Sequence, residues 1–185
     1  VADNGSVLFD RTVPTLSTVT ISSNNTYDPS LATVGDMITV SFISSETVQD
    51  PPTVAIGGTS ATVSGSGTTW SAASELTSSD VNGEVAFTVD FLDLASNAGT
   101  QVTSSTDGST VTLDQTPPTL TSVAISSSNS YDNSLARVGD VLTISFTTDE
   151  TIQAPTVAVD GSGATVTGSG SSWSASYTMG ATNTE

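Results

Sequence analysis

Cysteine, histidine and lysine are absent from the 185 residues, and Arg11 and Arg137 are the only cationic side chains. Without cysteine there is no disulfide framework. Without cysteine or histidine there is no conventional zinc site. Ser-His-Asp and Cys-His nucleophile systems lack their base, and no lysine is available for a Schiff base. Nineteen carboxylates against two cations leave a formal charge of −17. Such a surface repels phosphate, so neither nucleic acid nor an anionic membrane is an expected partner. No apolar run approaches the roughly 20 residues that a membrane helix needs, so membrane insertion of this segment is not expected. No basic-then-apolar leader opens at Val1. Enzymatic activity is not expected either. Paired carboxylates can perform acid–base chemistry, but no pair stands apart from the acids of turns.

What is present is enough for a core. Hydrophobic residues make up 35% of the chain, more than a disordered acidic tail carries. The chain also repeats itself. "YDPSLATVGDMITVSF" from Tyr27 returns as "YDNSLARVGDVLTISF" from Tyr131, with 11 of 16 positions identical. "DRTVPTLSTVTISS" from Asp10 matches "DQTPPTLTSVAISS" from Asp114, and "ETVQDPPTVAI" from Glu46 matches "ETIQAPTVAV" from Glu150. The period of about 104 residues exceeds the 20–50 of a solenoid repeat and is the size of a small β-sandwich domain. The expected organisation is a last strand of a preceding module at 1–9, a module at 10–113, and a C-terminally truncated module at 114–185. Residues 1–9 are expected to be such a strand because "VADNGSVLF" resembles "TDGSTVTL" at 106–113.

Hydrophobicity alternates with a period of two, as half-buried strands require. Ile38, Val40 and Phe42 share one face, and Val85, Phe87, Val89 and Phe91 form the strongest stripe. Gly- and Asn-rich turns separate the runs. Seven strands are predicted in the first module, at about 15–22, 37–44, 53–57, 60–64, 68–76, 84–92 and 101–113. Leu16 is out of phase with Val19 and Ile21, and Leu120 with Val123 and Ile125, which predicts a kink or bulge, as when a first strand crosses from one sheet to the other. The fold class is all-β: tandem immunoglobulin-like Greek-key β-sandwich modules.

The opening "DQTPPTL", the "VGD" before the second strand, the "ET" after it and "DLASNAG" before the last strand together resemble bacterial immunoglobulin-like tandem repeats. Such repeats belong to large surface adhesins and other exported repetitive proteins. Ser96 stands where that family more often has glycine. The resemblance spans the whole chain. It implies an extracellular or cell-surface location and, in many members, calcium at module junctions.

In a seven-strand sandwich the loops after the second and sixth strands share an end with the N-terminus. Asp10, Glu46, Asp93 and Asn97 are expected to meet there, and Asp114, Asp149 and Glu150 at the corresponding end of the second module. Asp80 and Asn82, with Asp28 or Asp36, are expected to approach the junction from the other end. Calcium takes six to eight oxygen ligands of these types, whereas the plainer reading is that these are turn residues bonded to their own backbone. The leading expectation is a structural spacer or stalk whose neighbours are modules of the same chain. Two alternatives remain: a filament or sheath subunit completed by strand donation between copies, and a carbohydrate- or protein-binding module. Trp70 and Trp173, equivalent in the repeat, are expected in the core rather than against sugar rings.

Overall fold

The computed structural model describes residues 5 and 7–183; parts of the strand expected at 1–9 and the last residues of the second module lie outside them. The described residues are all-β, with several antiparallel sheets and no helix, so none that could cross a membrane. The chain divides into two units, Val1–Gln115 and Thr116–Glu185.

In the first unit a four-stranded sheet has the order β1-β3-β7-β6, from β1 (Leu16–Ser23), β3 (Met37–Ser44), β6 (Thr62–Ser66) and β7 (Thr69–Glu75). A second sheet sets β4 (Thr53–Ile56) between β5 (Thr59–Ser60) and β9 (Phe87–Asp90). A third joins β2 (Leu31–Ala32), β10 (Thr112–Leu113) and β8 (Gly83–Glu84). Alternation does the sorting: every second residue of β3 is buried. Val19, Val40 and Phe42 from the first sheet belong to one buried cluster with Val54, Ile56 and Val89 from the second. Each such side chain contributes about 1.5–3 kcal/mol.

Trp70 lies in that cluster, with its Nε1 donating to Gly67 O at 3.1 Å. Gly65 sits opposite it in the β6–β7 ladder. Its φ is +129°, and a Cβ there would lie 2.4 Å from Thr69 O, so only glycine fits.

The second unit repeats the first sheet as β11 (Leu120–Ser127), β12 (Val141–Thr148), β16 (Ser172–Thr178) and β15 (Thr165–Ser169), in the order β11-β12-β16-β15. A two-stranded ribbon, β13 (Ala158–Val159) with β14 (Ser162–Gly163), accompanies it. The register also repeats. Phe42 faces Trp70, and Phe146 faces Trp173. The phase break is a register shift at Leu16/Thr18 and again at Leu120/Ser122. It is a bulge within one sheet, since Leu16 still pairs with Ser44 of β3.

Three expected strands differ from those observed. The run at 84–92 is broken between β8 and β9, the run at 60–64 belongs to two short strands, and the run at 101–113 keeps only Thr112–Leu113 and a bridge from Val102 to Val89. The last difference has a local cause. Thr106 Oγ1 accepts from Val19 N at 2.9 Å and Ser109 Oγ accepts from Ile21 N at 3.0 Å. Side-chain hydroxyls thus do part of what a backbone ladder would.

Candidate functional site

Asp10 lies on the segment entering the first unit, Glu46 on the loop after β3 and Asp93 on the loop after β9. One carboxylate oxygen from each comes within 4.8 Å of the other two. Among the described residues this is the one such group of metal-ligating side chains. Asp93 is 1% exposed, while Asp10 and Glu46 are half-buried.

The 93–97 loop is built around the Asp93 carboxylate. Asn97 N donates to Oδ1 at 2.7 Å and Asn97 Nδ2 to Oδ2 at 2.6 Å. Asp93 N donates to Asn97 O at 3.0 Å and closes the loop. Ser96 takes a φ of +68° to let the chain turn, at the position where the resembled repeats more often carry glycine. Gln49 ties the loop to its neighbour, with Nε2 donating to Asp93 O at 2.9 Å and to Ser96 Oγ at 3.0 Å. Asn97 Nδ2 also reaches Asp10 O at 3.4 Å. All four residues expected to meet at this end therefore do.

Their electrostatics differ. Burial pushes the Asp93 carboxyl up, but the hydrogen bonds from Asn97, Ala95 and Ser96 outweigh it and leave the group below its ordinary value. Burial, then the charges of Asp10 and Asp93, hold Glu46 above its ordinary value. The Glu46 carboxyl is thus held back from ionising by its burial and by its two acidic neighbours. The donors are all hard carboxylate oxygens, which fits calcium or magnesium and not a thiophilic metal.

Among the described residues the other expected ligands do not join this group. Asp80 Oδ2 accepts from Thr77 N at 2.7 Å and from Thr77 Oγ1 at 2.9 Å, closing its own turn. Asn82 Oδ1 accepts from Gln115 N at 2.9 Å, and Asp80 O from Gln115 Nε2 at 2.7 Å. Asp28 holds Ser30, and Asp36 holds Thr33. In the second unit Asp149 accepts from Thr119 N at 2.8 Å and Thr119 Oγ1 at 2.6 Å. This is the task of its repeat counterpart Ser45, whose Oγ accepts from Thr15 N at 3.0 Å. Asp114 belongs to the first unit, where its N donates to Ala32 O at 2.9 Å, and Glu150 belongs to the second, where its O accepts from Thr148 Oγ1.

No protein-family model matches the chain, and no curated protein matches it.

Proposed function

We propose that this chain is a stretch of a tandem array of immunoglobulin-like modules, serving as a stiff extracellular spacer, with calcium bound where the chain enters the first unit. The observation that carries the reading is the meeting of Asp10, Glu46 and Asp93 at that entrance. Asp10 is on the entering segment, whereas Glu46 and Asp93 belong to the body of the unit. Sharing one cation ties the segment to the body and restricts its bending. Asn97 keeps the Asp93 carboxylate in place for that purpose.

The module assignment draws on strand order. With β1, β3, β6 and β7 as strands A, B, D and E, the first sheet runs A-B-E-D. With β4 and β9 as C and F, and Val102 bridging to Val89 as the start of G, the second runs C-F-G with the short β5 on the outer side of C. This order supports the reading of a seven-strand Greek-key sandwich, in which A-B-E-D faces C-F-G. The exported location follows from the resemblance and suits a cation at extracellular concentration. Trp70, being buried, offers no platform for a sugar ring.

Thermal unfolding in EDTA and in calcium tests the reading. Extracellular modules bind calcium with Kd of about 10⁻⁴–10⁻³ M, so a hundredfold excess over Kd is expected to raise the Tm of the first unit by about 10 °C. Asp10→Ala, which leaves the Asp93 loop intact, is expected to remove most of that rise. An unchanged Tm in calcium would sink the proposal.

A further inference from the structure

β9 has β4 on one side and an interrupted partner on the other. Val85 N donates to Val111 O at 2.8 Å, before the strand begins. Further along, Val89 N donates to Val102 O at 2.9 Å and Val102 N to Val89 O at 3.1 Å. Four residues lead from Val85 to Val89, but nine lead from Val102 to Val111. The surplus loops out of the sheet and is held elsewhere. Thr106 N donates to Val19 O at 2.8 Å, and the Thr106 and Ser109 hydroxyls accept from Val19 N and Ile21 N. The segment between Val102 and Val111 thus serves β1 and leaves the edge at Phe87 uncovered.

Ala86 faces β4, since Gly57 N donates to its carbonyl at 2.8 Å. Alternation then turns the N–H and C=O of Phe87 the other way, as at Val85 and Val89. Among the described residues neither group has a hydrogen-bond partner, although Phe87 is only 6% exposed. Backbone groups so deeply placed are nearly always paired. Here they border a cleft of about 420 Å³, within the range of small-ligand sites. Its lining combines apolar Ile21, Val85 and Phe87 with the hydroxyl-bearing Thr103, Ser104 and Thr110.

The surroundings narrow what fits. Val102 and Val111 close the ladder on either side of Phe87, so an added peptide strand has no edge to run along. Glu84 lines the cleft and no cationic side chain does, which disfavours an anion. A strand residue opposite Phe87 would present an acceptor and a donor side by side. Two neighbouring hydroxyls of a sugar ring present the same pair, because each hydroxyl both donates and accepts. The C–H face of the ring suits the apolar part of the lining. We infer that this cleft binds a single neutral sugar ring, one hydroxyl accepting from Phe87 N and its neighbour donating to Phe87 O. Thr103, Ser104 and Thr110 supply hydroxyl partners for the rest of the ring.

The test is amide NMR of the whole chain in EDTA, titrated in turn with D-glucose, D-galactose and D-mannose. At least one is expected to shift the Phe87 amide proton saturably, together with those of Thr103, Ser104 and Thr110, and to slow hydrogen exchange at Phe87. D-glucuronate, which adds a carboxylate to the same ring, is expected to leave them in place. Ser104 is exposed, and Ser104→Leu is expected to abolish the response while Trp70 fluorescence stays unchanged. Thr103→Val, which removes a hydroxyl and keeps the shape, is expected to weaken it. No saturable shift with any of the three neutral sugars would overturn the inference and leave Phe87 to water. A response to glucuronate as strong as that to glucose, or one that survives both substitutions, would overturn it too. None of these outcomes bears on calcium binding by Asp10, Glu46 and Asp93.

Discussion

At the scale of single residues, Glu46 and Asp93 are opposed in sign. Asp93 has its folded pKa below the unfolded value, so its contribution to stability is present above the unfolded pKa and lost as pH falls through the folded one. Glu46 has its folded pKa above the ordinary 4.5, so its contribution is present below that value and lost as pH rises through the folded pKa. At neutral pH Glu46 is therefore a charge the fold tolerates at a cost. Glu46→Gln is expected to raise the Tm of the first unit in EDTA and to shrink the rise that calcium produces. Melting both proteins in both buffers checks this, and a lower Tm for the variant in EDTA would show that Glu46 does not resist ionisation there. The four residues at this end were legible from strand counting, because loops after the second and sixth strands must share an end with the entrance. The sequence could not separate them from Asp80 or Asp149. A turn acid and a cation ligand carry the same carboxylate, and Asp10 and Asp93 themselves accept from Thr12 N and Asn97 N; what singles out Asp10, Glu46 and Asp93 is that their oxygens converge, which only the fold shows.

At the scale of elements, the repeat makes a controlled comparison. Ile21 in β1 and Ile125 in β11 occupy the same register position, opposite Val40 and Ile144. Only the first is covered. Ile21→Ala is expected to cost about 2–5 kcal/mol, whereas Ile125→Ala, at a side chain 65% exposed, should stay within about 0.5 kcal/mol. Denaturant unfolding of the two variants measures both, and equal losses would mean that β11 is covered as β1 is. The alternation in β3 was readable because one face is buried and the other is not, and the 37–44 run coincides with Met37–Ser44. The 101–113 run was read as a strand because Val102, Val111 and Leu113 suit one. Its middle fails to pair because Asp107 and Ser109 prefer each other, Ser109 N donating to Asp107 Oδ1 at 2.9 Å, while Thr106 and Ser109 hydroxyls serve β1. Such exchanges of ladder for side chain leave no mark in a hydrophobic period. The two-residue β2 was missed for the opposite reason: Leu31–Ala32 is too short to show any period, and only its partner β10 defines it.

At the scale of the whole molecule, the two units divide the apolar burial unequally. The buried cluster is drawn from the first unit alone, and Phe146 and Ala175 are the hydrophobic residues of the second that reach full burial among those described. Stability scales with such burial, so the units should not melt together. Two transitions are expected in calorimetry, the lower one belonging to the second unit. The tryptophans assign them, since each unit has one, held in the same way: Trp173 Nε1 donates to Gly170 O at 3.0 Å as Trp70 does to Gly67 O. With Trp70→Phe, the remaining fluorescence should report the lower transition; with Trp173→Phe, the upper. The upper alone should rise with calcium, because Asp10, Glu46 and Asp93 all lie in the first unit. Coincident transitions for both tryptophans would mean that the second unit does not unfold on its own.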